Sequence, residues 1–432
     1  MVISIIEKIR KNKLFQNGLL FTFFSIFNNG INFFLVILLA YYVNFNDYGD
    51  LNLFNTFVSL LGVLLSLNTI GILSVEYFNI SRLEIQKLIV AIILISLAVF
   101  IVLNLLSFVF SDFLFKVTGL CYKYQWMALS VCLCQVFSMI NLELLRLEER
   151  PIKYGTYTIV VAMLNLVVTL VLIIVFNLGW IGRVYSQIII GGLFCIISII
   201  WLLHRKYIVM RIPNANVFKN ALRFGLPLIP HNAALWIRQG LDRYVINFFW
   251  GTEAVALYSY AYNYTIILTI IGLSFNASYS VYVYKYLANA DETTPSILLS
   301  QIKKLFYFFI FLTVVVYVGL MIAIPILIPK YIDSRSYVLP LCLSGFFQCT
   351  YYLFVNILFY FKKTKSIMYI TFSVSILHFL LSSWLVRFNP GIAAYISLIS
   401  NMAIFIIIYL YSQKIYPLPI RKLSLNRLFR TP

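Results

Sequence analysis

The sequence predicts an all-α polytopic membrane protein with about twelve transmembrane helices, arranged as two pseudo-symmetric six-helix bundles. Three observations lead there. Hydrophobic residues fill 62% of the 432 positions and charged residues 11%, against roughly 25% charged in a soluble globular chain. Apolar runs of about 20 residues, the length that carries a helix across a bilayer, recur along the whole chain. The second half also echoes the first in the same order.

The apolar runs place spans near 16 to 41, 53 to 74, 88 to 110, 125 to 146, 155 to 177 and 180 to 203, then near 222 to 250, 254 to 280, 304 to 329, 337 to 361, 367 to 387 and 391 to 412. Lys8, Arg10, Lys11 and Lys13 precede the first run like the start of a signal peptide. That run lacks a small-residue cleavage site and continues past 20 residues, so it is expected to stay as a signal anchor. The stretch 204 to 219 begins His204, Arg205, Lys206 and holds Arg211, Pro213 and Lys219, which marks it as a polar linker between a lobe at 1–203 and a lobe at 220–432 with a basic tail. The six cysteines lie mostly within spans and the three histidines are far apart in sequence; neither set has metal-ligand or disulfide spacing, so they are expected to act as packing residues. No cofactor is implied.

The formal net charge of +19 could suggest nucleic acid, but its placement argues for a membrane. With the N-terminus in the cytoplasm, 25 of the 33 Lys and Arg fall in cytoplasmic segments, five fall outside (Lys116, Lys123, Lys330, Arg335, Arg387) and three, Arg183, Arg238 and Arg243, lie in or at the edge of spans. This positive-inside bias puts both termini in the cytoplasm, with anionic lipid headgroups as secondary contacts and no role for nucleic acid.

The first and seventh spans match at a constant offset of 203: Asn17, Leu19, Phe21, Ile26 and Asn29 against Asn220, Leu222, Phe224, Ile229 and Asn232. Phe176, Asn177 and Gly179 match Phe388, Asn389 and Gly391 at an offset of 212. An even number of spans per repeat gives both halves one orientation, as in transporters that bind between the halves and alternate access by rocking them.

One span carries charge near its middle. Arg238, Asp242 and Arg243 lie within 222 to 250, where each charge costs about 2.5 to 3.5 kcal/mol at the bilayer centre. Such a cluster is expected to line a hydrated path. Pro227 and Pro230 precede it, each removing a backbone donor, so the segment is expected to be a broken helix facing a cavity. On a continuous helix His231, Arg238 and Asp242 share a face, Arg238 and Asp242 are spaced to pair, and Arg243 points about 100° away. The surplus cation favours an anionic ligand, for which planar guanidinium groups suit phosphate oxygens. Glu143, Arg146 and Arg150 at the end of the fourth span have pairing spacing, and they and Arg183 are also long enough to snorkel toward headgroups. Tyrosines such as Tyr258, Tyr260 and Tyr262 suit either sugar stacking or an interfacial belt.

The segment Phe224 to His231, then Trp236, Asp242 with Arg243, and Tyr258 to Ala261 resemble the start of the second lobe in Wzx-type polysaccharide flippases. Asp47, Tyr48 and Gly49 resemble that family's first outer loop. The resemblance implies the fold of the multidrug, oligosaccharidyl-lipid and polysaccharide (MOP) transporters, two six-helix bundles in a V around a central cavity. It also implies transport of undecaprenyl diphosphate-linked oligosaccharide to the outer leaflet of the bacterial cytoplasmic (inner) membrane for O-antigen, capsule or related polymers, alongside polysaccharide assembly proteins. The related lipid II flippases carry two further spans, for which this length has no room. Relatives often place basic residues in the first-lobe cavity, whereas spans one to three here have none.

On this basis Arg238 and Arg243, with Arg146 and Arg183 as contributors, are expected to bind the diphosphate and glycan. Asp242, His231 and Glu143 are expected to balance charge or to couple transport to H+ or Na+. The alternatives are a cation-coupled multidrug exporter of the same fold, which would favour acidic residues in its cavity, and a membrane-embedded polymerase or ligase, which would need a sizeable outer loop. Cysteine labelling from outside should reach the 330 to 336 loop and miss the 204 to 219 linker. Labelling of the linker in intact cells would reverse the orientation.

Overall fold

The computed structural model describes residues 13–208 and 213–419, with the side chains of 13–19, 22, 231 and 277–278 outside the description. Among the described residues every regular element is helical. The elements are α1 (Lys13–Tyr42), α2 (Phe45–Ser66), α3 (Ile72–Glu76), α4 (Arg82–Val109), α5 (Ser111–Thr118), α6 (Tyr122–Leu147), α7 (Pro151–Leu170), α8 (Gly179–His204), α9 (Ala215–Gly225), α10 (Ile229–Gln239), α11 (Leu241–Ala288), α12 (Thr294–Leu327), α13 (Arg335–Tyr360), α14 (Thr364–Leu385) and α15 (Ile392–Ile415). The chain divides between Trp236 and Ile237 into two compact units.

Local chemistry sets several of these boundaries. Ser81 and Glu84 form a reciprocal capping box that starts α4. Pro151 opens α7, where its missing N–H costs no helical bond. Gly251, at φ +76, lets α11 turn in a conformation that L side chains rarely adopt, and so joins two helical segments.

Eleven helices are long and apolar enough to cross a membrane among the described residues. The difference from the expected twelve arises at the seventh crossing. Residues 222 to 250 form the end of α9, a 3-10 turn, α10 and the start of α11 rather than one continuous helix.

In the first unit α6 packs against α2, α4 and α8, while α1 lies along α7. After α2 the chain breaks at Leu67 and Asn68, both left-handed with φ 44 and 55. The segment that follows the expected linker meets this break. Asn232 Nδ2 donates to Asn68 Oδ1 at 2.7 Å, Trp236 Nε1 donates to the Thr56 carbonyl at 3.1 Å, and a Cβ on Gly225 would lie 2.1 Å from the Leu67 carbonyl oxygen. Of the expected linker, 209–212 lie outside the described residues.

In the second unit α13 is the axis, packed by α11, α12 and α15, and α14 packs on α15. Small residues let α11 and α13 approach. A Cβ on Gly272 would sit 2.6 Å from Cys349 Sγ, one on Gly345 would sit 3.1 Å from Leu268, and the Cys349 thiol donates to the Leu268 carbonyl at 3.2 Å. The repeated Phe-Asn-x-Gly motif falls in each unit at the turn into its final long helix, before α8 with Gly179 and before α15 with Gly391.

Gly225→Ala must displace a backbone carbonyl, and overpacking of this kind costs about 1–3 kcal/mol. Thermal unfolding of the purified protein in detergent should fall accordingly. Gly319→Ala, where a Cβ meets nothing within 4 Å, should not lower it.

Candidate functional site

The charged segment is positioned by two interruptions in the helix. Pro227 occupies the 3-10 turn Leu226–Leu228 between α9 and α10, and Pro230 is the second residue of α10, at the start of a helix, where proline is tolerated. The second interruption is Gly240, at φ −121 and ψ −39, which separates α10 from α11. Arg238 and Asp242 therefore sit on different helices. The i, i+4 pair expected of a continuous helix does not form.

Asp242 instead accepts four bonds from around it. His378 Nε2 lies 3.1 Å from Oδ1 and Ser382 Oγ donates to the same oxygen at 2.8 Å; Tyr258 OH and Ser397 Oγ each donate to Oδ2 at 3.0 Å. The carboxylate is 1% exposed and His378 is fully buried. His378 Nδ1 in turn contacts Ser400 Oγ at 3.0 Å, so a hydroxyl that can donate or accept serves either ring protonation state. His378 thus bonds a buried carboxylate in addition to the packing expected of it, and the 136 positions separating it from Asp242 hid the pairing.

Arg243 is 6% exposed and, among the described residues, is held by neutral groups. Nε donates to Ser259 Oγ at 3.0 Å, Nη1 to the Gln239 carbonyl at 2.8 Å and Nη2 to Asn263 Oδ1 at 3.4 Å, with the guanidinium 4.6 Å from the Tyr262 ring centroid. These bonds engage three of its five N–H donors and leave the charge intact. Arg238, 9% exposed, donates from Nη1 to Asn401 Oδ1 at 3.0 Å, while its buried Nε has no partner among the described residues. It lines a cavity of about 40 Å³ with Thr265, Ser344, Gln348, Ser397 and Asn401. Room for a water or two, walls of hydroxyls and amides, and an unmet N–H make this a polar site suited to an acceptor oxygen.

The other expected residues lie in the first unit. Arg146 pairs with Glu143 at 2.7 Å and also donates to Ser74, at 55% side-chain exposure, as a snorkelling cation does. Arg150 pairs with Glu148 at 2.8 Å, because α6 ends at Leu147 and the chain turns before Arg150. Arg183 donates from Nη1 to Asn165 Oδ1 at 3.2 Å and Thr169 Oγ1 at 3.1 Å and borders a cavity of about 320 Å³. The side chain of His231 lies outside the described residues.

The fold has counterparts among solved structures. The chain superposes on an inward-facing multidrug resistance MATE family transporter of the MOP superfamily with a TM-score of 0.70 at 16% identity, covering 90% of this chain and 94% of that one. The lipid II flippase MurJ in an inward closed conformation gives 0.69 at 17% identity, covering 92% and 87%. An outward-facing MATE family transporter gives 0.58 at 18%, covering 92% and 94%. At these identities the likeness shows the fold, that of MOP transporters. No curated protein sequence matches the chain. A family model described as "Polysaccharide biosynthesis protein" matches residues 14–282, more than half of the sequence, and the chain belongs to that family.

Asp242→Ala would leave His378 and three hydroxyls without their acceptor, and breaking a buried pair in this way costs about 3–5 kcal/mol. Arg238→Gln removes a group that is already partly unsatisfied and should cost much less. Thermal unfolding of the two purified variants, compared with wild type, checks the order.

Proposed function

We propose that the protein is a flippase that moves an undecaprenyl diphosphate-linked oligosaccharide across the bacterial cytoplasmic membrane by alternating access, for polysaccharide biosynthesis such as O-antigen or capsule. Both termini would face the cytoplasm. The observation that carries this reading is the pair Arg238 and Arg243, two buried guanidinium groups served, among the described residues, by neutral acceptors while the nearby carboxylate is taken up by His378 and hydroxyls. Their charge stays available to a diphosphate, and planar N–H forks match phosphate oxygens. Membership of the polysaccharide biosynthesis family and the fold shared with a lipid II flippase support a lipid-linked glycan as cargo.

Asp242 with His378 is the natural place for a coupling proton, because the two groups share one hydrogen bond inside the bundle and can exchange a charge there. A multidrug exporter is the second reading, favoured by the TM-score of 0.70 to a MATE transporter. The net basic cluster argues against cationic drugs as cargo.

Cells lacking the protein should accumulate complete lipid-linked repeat units in the cytoplasmic leaflet, detectable with a leaflet-specific glycan probe. Unpolymerised units exposed on the outer leaflet would overturn flipping and favour a polymerase or ligase. A hydrogen bond to a charged group contributes about 1.5–3 kcal/mol, so Arg238→Gln or Arg243→Gln should slow polymer assembly about 10- to 100-fold at unchanged protein abundance. Normal polymer levels in the double variant would remove the anion site from the mechanism.

A further inference from the structure

We propose that the 320 Å³ cavity of the first unit is a sugar subsite that takes one carboxylate-bearing pyranose, an inference that rests on the flippase reading. The cavity is walled by α1, α6, α7 and α8, and its volume is at the small end of ligand pockets. Side-chain amides dominate its polar lining: Asn28 and Asn32 from α1, Gln135 from α6, Asn165 from α7 and Gln187 from α8. An amide carries both a donor and an acceptor, which is what ring hydroxyls need and what an apolar drug does not; Asn165 already uses both within the protein, and Asn32 uses its Nδ2 on the Asn28 carbonyl, so the remaining amide groups face the cavity's occupant. Asn32 and Gln135 are exposed, so the cavity opens to its surroundings.

Two features point to an occupant. Gln187 donates from Nε2 to Asn55 Oδ1 at 3.1 Å, which leaves its buried Oε1 without a partner, an acceptor waiting for a hydroxyl. Arg183 borders the same space, and its bonded partners Asn165 and Thr169 are neutral; among the described residues no carboxylate forms an ion pair with it. A single planar guanidinium amid amides suits one carboxylate on a polyhydroxylated ring. A lone phosphate would leave most of the amide lining unused.

The test uses the full chain, purified into lipid nanodiscs, with sodium D-glucuronate, D-glucose and inorganic phosphate as probes in ligand-observed NMR. Glucuronate should bind saturably and about tenfold more tightly than glucose, a difference expected of one added charged pair in a polar cavity. Arg183→Gln should bring glucuronate down to the level of glucose, Arg183→Lys should fall between, and Gln187→Ala should weaken both sugars. Equal binding of the two sugars by the wild-type protein, or displacement of glucuronate by equimolar phosphate, would overturn the proposal, and neither outcome depends on how a variant folds. The readout involves no transport. Failure here would leave the leaflet assay for flipping untouched, and an outer-leaflet result there would not alter the sugar affinities measured here.

Discussion

A carboxylate inside a membrane protein persists only if everything around it is arranged to receive it, and much of the second unit follows from this constraint at Asp242. Its four partners come from three helices: Tyr258 on α11, His378 and Ser382 on α14, and Ser397 on α15. With Asp242 itself at the start of α11, the charge links that helix to two that otherwise touch it little. A partly satisfied network of this kind would be worse than an apolar core, so the serines and the tyrosine are as necessary as the histidine. The close contact of α11 with α13 through Gly272 and Gly345 then fixes the remaining side.

The protein treats its cations in two ways. At the end of α6 the carboxylate of Glu148 takes Arg150 at 2.8 Å, Arg205 at 3.4 Å and the Tyr207 hydroxyl at 2.7 Å, tying α8's end to the α6–α7 turn. Burial and the Glu148 carboxylate both push the Tyr207 hydroxyl's pKa up, so that proton stays in place as part of the staple. Arg183, Arg238 and Arg243 are met by amides, hydroxyls and carbonyls instead. Neutral acceptors meet hydrogen-bonding needs without cancelling charge. The first arrangement holds helices together; the second preserves a positive potential within the spans.

Composition and apolar run lengths were enough to read a helical membrane protein, and the charge in an otherwise apolar span was enough to single out Arg238, Asp242 and Arg243. Pro227 and Pro230 marked a helix break because proline chemistry is local. Gly240 carried no comparable signal, since glycine occurs within membrane helices, and its effect was to dissolve the expected Arg238–Asp242 pair. The pairing of Asp242 with His378 depends on how α11 meets α14, which periodicity along one helix cannot encode. The cavity beside Arg183 was hidden for the same reason: its amides are spread from Asn28 to Gln187, and only packing brings them to one space.

The break after α2 has a consequence for the order in which the chain is made. Asn68 finds its side-chain partner 164 residues later, at Asn232, and the indole of Trp236 reaches Thr56 across 180 residues. Domains tend to assemble from the N-terminus as synthesis proceeds, yet the first unit's final polar contacts lie beyond all of its own long helices. The ribosome must deliver the expected linker and the α9–α10 segment before that unit can close. Emergence of Asn232 and Trp236 is therefore a timing point in biogenesis: until then the Asn68 side-chain oxygen must rely on lipid-interface water or on the insertion machinery for a donor, while the Thr56 carbonyl already accepts from Ser59 Oγ.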